Sequence, residues 1–92
     1  LLTIDYAERA VYFNNCQIPL LKKEFDIIEV LSKNPGQVFD KERLYEAAWG
    51  LDGLGSNSVV AEHIRKIRAK FEAAGARQYI QTIWGVGYKW QK

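Results

Sequence analysis

The sequence predicts one α+β domain over residues 1–92, with three helices set between short antiparallel strands, and three observations predict it. Asn57–Ala74 places Val60, Ile64, Ile67 and Phe71 at the i, i+4, i+7, i+11 spacing of a helix with a single buried seam. Two earlier stretches, Lys22–Lys33 and Lys41–Trp49, repeat apolar residues at helical period and end at Asn34-Pro35-Gly36 and Gly50. Both ends of the chain instead carry short runs of β-formers, broken by Asn14-Asn15 and by Gly85-Val86-Gly87.

Ninety-two residues support one modest core, and 48% apolar with 26% charged residues is ordinary for a globular protein. No apolar run approaches the ~18 residues of a membrane span. The chain opens Leu-Leu-Thr, without Met or a signal-peptide pattern, which predicts a module of a longer protein. A lone Cys16 allows no internal disulfide and suits a reducing cytosol; with no basic neighbour in sequence, it is expected to be a small buried hydrophobe. The net charge of +2 conceals an asymmetry. Residues 1–55 are acidic on balance, whereas residues 56–92 hold Arg65, Lys66, Arg68, Lys70, Arg77, Lys89 and Lys92 against only Glu62 and Glu72. A basic face confined to the second half is what a polyanion would meet.

In order, Leu2–Ile4, Ala10–Phe13 and Gln17–Leu20 form a small antiparallel sheet, with the Asn14-Asn15 pair as a tight hairpin turn. The first helix, Lys22–Lys33, faces inward through Phe25, Ile27, Ile28 and Leu31; its start is poorly marked, because Leu21 stands where a capping hydroxyl would serve. Val38-Phe39 suggests a very short strand. Asp40 caps the second helix, whose inner face is Leu44, Tyr45 and Ala48. Leu51–Ser56 has two glycines and no period, so it is a loop, after which Asn57 or Ser58 caps the third helix and Gly75 ends it. Tyr79–Trp84 and Tyr88–Trp90 close the chain as a hairpin. Its Gly-x-Gly is a turn and not a phosphate loop, since the third glycine and the following helix are missing.

Strands, helix, helix, loop, basic helix and hairpin are the order of a winged helix-turn-helix, in which the third helix enters the major groove, ~12 Å wide, and the hairpin reaches the flanking backbone. Opposite its seam that helix carries Ser58, Glu62, Arg65, Lys66 and Ala69, with His63 and Arg68 on the two shoulders. Arg65 and Lys66 then point at base edges or phosphates, and His63 and Arg68 suit phosphates. No second His or Cys stands at ligand spacing from His63, so no metal or other cofactor is expected. Ser56 and Ser58 near His63 are simpler as helix-cap residues than as nucleophiles. Tyr79, Trp84, Tyr88 and Trp90 alternate with core positions, which favours packing over a stacking platform for single strands.

The segments IPLLKKEFDIIEVL, NPGQVFDKERLYEAAWG, VAEHIRKIRAKF and YIQTIWGVGYKW, in this order over essentially the whole chain, resemble the C-terminal effector domain of OmpR/PhoB-type bacterial response regulators. The resemblance implies a cytoplasmic transcription factor whose receiver domain lies upstream and is phosphorylated on Asp by a sensor histidine kinase. It also implies binding of double-stranded DNA at tandem direct repeats as a head-to-tail dimer. By the same resemblance Trp49, His63, Arg65, Arg68, Thr82 and Tyr88 match positions at phosphates or the groove rim. Lys66 matches a base-reading position, with Glu62 one turn earlier on that face. The loop Leu51, Asp52, Gly53, Leu54 matches a region that touches RNA polymerase in some relatives. The candidate set is therefore Glu62, Arg65 and Lys66 toward bases; Trp49, Ser58, His63, Arg68, Thr82 and Tyr88 toward phosphates; and Trp84 and Lys89 on the wing.

Four departures qualify it. Relatives often carry Arg, Asp and Val where this chain has Ser58, Ala61 and Glu62, and an Arg that enters the minor groove where it has Trp84. Glu62 is open to two readings, an acceptor for a cytosine amino group or an intrahelical partner of Lys66. Trp84 either packs or lies against sugar-phosphate. The competing function is a winged-helix module whose basic face docks a protein; a hydrolase is the remote third.

Overall fold

The computed structural model describes residues 1–50 and 55–91. Three strands open the chain: β1 (Leu2–Asp5), β2 (Ala10–Phe13) and β3 (Cys16–Ile18), paired antiparallel in that order. Leu2 lies opposite Phe13, and Phe13 opposite Cys16. The β2–β3 turn is the Asn14-Asn15 pair, both residues at positive φ (51° and 69°), as a two-residue turn matched to strand twist requires. Cys16 departs from expectation. It is exposed: Cys16 opens the edge strand β3, at the hairpin end and two residues from Ile18, where β3 reaches the core.

Helix α1 (Lys22–Ser32) buries Phe25, Ile27, Ile28 and Leu31, the seam that the period predicts. Its unmarked start has a nonlocal explanation. Glu24, fully buried, accepts from the Leu21 N–H (2.8 Å) and from Lys70 Nζ on the third helix (2.6 Å). Helix α2 (Lys41–Trp49) begins where Asp40 accepts from the Arg43 N–H at 2.8 Å and closes on Gly50 at φ +81°.

Helix α3 (Ser58–Ala73) buries Val60, Ile64, Ile67 and Phe71 against the other two helices. At its end Gly75, at φ +90°, and Ala76 donate to the Glu72 and Phe71 carbonyls, while Ala76 packs into the core. Its start differs from expectation: neither Asn57 nor Ser58 caps it. The Ser56 hydroxyl instead accepts the Ser58 N–H at 3.2 Å, and Val59 and Val60 donate three residues back to Ser56 and Asn57.

The chain ends in the hairpin β4 (Ile80–Ile83) and β5 (Gly87–Trp90). The segment before α2 joins it through one bridge and not a full strand. The Phe39 N–H donates to the Tyr88 carbonyl (2.8 Å), the Phe39 carbonyl accepts from the Tyr88 N–H (2.9 Å), and the Gly36 N–H donates to the Trp90 carbonyl. Tyr88 and Trp90 are thereby core residues. The architecture is a winged helix-turn-helix: α2 and α3 form the angled pair, and the hairpin is the wing. Among the described residues no helix is long and apolar enough to cross a membrane.

Candidate nucleic-acid interface

The outer face of α3 is set by its buried seam. Ser58, Glu62, Arg65, Lys66 and Ala69 are all exposed, and His63 and Arg68 on the shoulders are half-buried, as the helical period requires. Down the centre of this strip Glu62 and Arg65 are locked together: Arg65 Nε donates to one carboxylate oxygen (3.0 Å) and Nη2 to the other (2.7 Å). Lys66 stands 4.0 Å from the same carboxylate, so the partner of Glu62 is chiefly Arg65 and not the Lys66 expected from i, i+4 spacing. A forked guanidinium matches both oxygens where an ammonium meets one. The hydrogen bonds donated by Arg65 hold the Glu62 carboxyl below the usual carboxylate range, and the same contact with the carboxylate pushes the guanidinium up.

One shoulder is an aromatic ladder. Tyr45 stacks on Trp49 (centroids 4.9 Å apart, 12° between planes), and His63 meets Trp49 edge-on at 5.2 Å. His63 Nδ1 donates to the Val59 carbonyl (2.8 Å), which leaves Nε2 as the outward nitrogen. Lys23 lies 5.4 Å over the Trp49 ring, adding a cation beside the same rim. The Gly55 N–H donates to the Tyr45 hydroxyl at 2.7 Å, tying the approach to α3 onto α2.

The other shoulder joins α3 to the wing. Arg68 donates through Nε and Nη2 to the Ile80 carbonyl (3.3 and 3.0 Å) and through Nη2 to Thr82 Oγ1 (2.7 Å), with its guanidinium 5.7 Å from the Tyr88 ring centroid. Arg68, Thr82 and Tyr88, three residues expected at phosphates, are thus brought together, but as an internal clamp. Lys89 is half-buried opposite Gln81. At the wing tip Trp84 is 89% exposed, so it does not pack on its own chain. The wing and the starts of α2 and α3 enclose an open cleft of about 570 Å³, with Asp40, Asn57, Thr82 and Trp84 on its walls.

Ser56 and Ser58 hydrogen-bond each other through their hydroxyls at 2.6 Å, and His63 is turned to a carbonyl, so these three serve the start and flank of α3. No three His, Cys, Asp or Glu side chains converge on a metal position among the described residues. Leu51, Asp52, Gly53 and Leu54 lie outside the described residues. Sequence reasoning missed Glu24 and Lys70, which fix α3 against α1, and the clamp made by Arg68. Its signal was faint: an Arg on a helix shoulder with Thr two residues into a following strand.

The family model described as "Transcriptional regulatory protein, C terminal" matches residues 15–90. The transcriptional regulatory protein SpaR of Bacillus subtilis is 40% identical over 86 residues, 94% of this chain and 39% of that protein. SrrA of Staphylococcus aureus is 35% identical over 92 residues, 98% of this chain and 38% of that protein. The chain spans about two fifths of the length of these curated relatives. Among solved structures, the DNA-binding domain of the response regulator AdeR, in complex with an intercistronic region, superposes with a TM-score of 0.87 at 26% identity, covering 99% of this chain and 94% of that one. DrrB of Thermotoga maritima, an OmpR/PhoB homolog, gives 0.85 at 39% identity, covering 99% and 42%.

Proposed function

This chain belongs to the family of transcriptional regulatory protein C-terminal domains, the DNA-binding output domains of OmpR/PhoB-type response regulators, and we propose that it reads duplex DNA by laying α3 in the major groove and the wing on the flanking backbone. The observation that carries this is the strip of exposed side chains on α3, bounded by Trp49 and His63 on one side and by Arg68 and the wing on the other. Glu62 and Lys66 face the base edges, with Arg65 beside them within reach of bases and phosphates. Trp49, Ser58, His63 and the Arg68–Thr82–Tyr88 clamp lie along the rim, where phosphates pass. Trp84 and Lys89 meet the flank.

Likeness to response regulators supports a two-component setting for this domain. A receiver domain, phosphorylated on Asp by a sensor histidine kinase in the cytoplasm, controls this domain. Two copies bind head to tail on tandem direct repeats, and the loop at Leu51–Leu54 meets RNA polymerase. The domain's work is binding, with no cofactor and no reaction of its own.

Footprinting of the regulator's own upstream region at several salt concentrations tests the reading. Protection of two repeats about 10–10.5 base pairs apart is expected, with affinity falling steeply as salt rises. Equal, modest affinity for every duplex would sink sequence-specific recognition and favour docking to a protein.

A further inference from the structure

The Glu62–Arg65 pair occupies the middle of the face that meets DNA, and it puts a carboxylate where a polyanion must approach. Both side chains are more than half exposed, and a solvent-exposed ion pair of this kind is weak enough to be exchanged for another partner. On a duplex the competing partner for Arg65 is a phosphate, which presents the same forked geometry to a guanidinium. Nothing comparable is available to Glu62. It can only accept, and most of what the major groove displays also accepts: guanine N7 and O6, thymine O4 and adenine N7.

Two bases offer a donor. Adenine sets its amino group beside the N7 acceptor, so a carboxylate reaching for one meets the other. Cytosine displays its N4 amino group with no acceptor beside it on the same base. Glu62 also lies one turn before Lys66, nearer the N-terminal part of the helix from which recognition helices contact base edges. A glutamate carboxyl is ionised at neutral pH with or without Arg65 beside it, so it remains an acceptor when the pair opens.

We propose that Glu62 and Arg65 form an exchangeable pair: on duplex DNA a phosphate takes Arg65, and the freed Glu62 carboxylate accepts from a cytosine amino group. The inference rests on the reading that α3 lies in the major groove. It makes Glu62 a specificity residue that works largely by exclusion. Over guanine or thymine the carboxylate is left facing acceptors and unpaired, and over adenine any contact with the amino group is offset by the N7 acceptor beside it, so the wrong sequence is penalised more than the right one is rewarded. On random DNA the same carboxylate competes for Arg65 and suppresses binding.

The test compares wild type with Glu62→Ala, Glu62→Gln and Lys66→Ala. Each protein is used to select from a randomised duplex pool and is titrated against one fixed non-cognate duplex. Melting temperatures check that each variant is folded, as expected for exposed positions. Wild type should prefer cytosine at one position of each repeat by about tenfold. Glu62→Ala should lose that preference and bind the non-cognate duplex several-fold more tightly. Glu62→Gln should move the preference toward adenine, which an amide can contact through both a donor and an acceptor.

The inference is overturned if Glu62→Ala keeps the wild-type base preference while Lys66→Ala loses its own. It is also overturned if Glu62→Ala leaves non-cognate affinity unchanged, because Arg65 then was never held back. If neither Glu62→Ala nor Lys66→Ala alters any base preference, the placement of α3 in the groove fails, and the inference falls with it.

Discussion

At Arg68 the guanidinium donates to the Ile80 carbonyl and the Thr82 hydroxyl, so removing it takes charge from the proposed DNA-facing rim and loosens the wing together. Charge-assisted hydrogen bonds, discounted for partial exposure, put the cost of Arg68→Ala at about 1–2 kcal/mol, or roughly 5–10 °C in melting temperature. DNA affinity should fall alike for all sequences, with the salt slope flatter by about one phosphate. Lys66 is half exposed, and among the described residues its ion-pair contact is with Glu62, at 4.0 Å. Lys66→Ala should therefore leave the melting temperature within a degree or two and cost ~1–3 kcal/mol of discrimination at one or two base positions. The same loss pattern in both variants would refute this division of roles. Trp84 makes a third case. Exposed at the wing tip, it is replaceable without loss of stability, and Trp84→Arg should tighten binding to A·T-rich flanks, where a narrow minor groove attracts a cation. Unchanged affinity there would mean that the wing tip never reaches that groove.

Between elements, the most consequential tie is Glu24 to Lys70, which carries the start of α1 to the last turn of α3. Burial pushes the Glu24 carboxyl up, but the Lys70 ammonium and the Leu21 N–H more than offset it, and the net shift is downward. A carboxylate whose folded value lies below its unfolded one stabilises the fold above the unfolded value. That contribution is lost as pH falls through the folded value, so the melting temperature should hold near neutrality and drop below about pH 4. Lys70→Met reverses the sign. With an unpartnered buried carboxylate, it should cost about 3 kcal/mol at pH 7 and regain part of that on mild acidification, as Glu24 takes a proton. Melting curves at pH 7 and pH 5 on both proteins decide it. The wing glycines show a second contrast between elements. Gly85 is needed for its φ of +78°, and a Cβ there would meet open space. At Gly87 an added Cβ would fall 2.0 Å from the Phe39 carbonyl oxygen, so Gly87→Ala should cost at least 1–3 kcal/mol by prying the segment before α2 off β5.

Over the whole molecule, the order of elements and all three helical seams were legible in the sequence, because period is a local property and burial follows it. The Asn14-Asn15 turn was legible for the same reason. The cap of α1, the exposure of Cys16 and the use of Arg68 were not, since each depends on what the fold brings alongside: Lys70, the edge of a sheet, the first strand of the wing. The outer face of α3 was read correctly as a surface, but the pairing within it went to Arg65, because a forked donor competes better than spacing alone implies. The clamp from Arg68 and the bridge from Phe39 hold the wing to the helix pair from two directions. On the proposed docking, groove and flank contacts would therefore behave as two heads of one bivalent ligand, each raising the local concentration at which the other rebinds. Slackening either anchor dilutes that concentration without removing a single contact to DNA. Such variants should keep their association rates and base preferences and betray the change only in shortened residence on the operator.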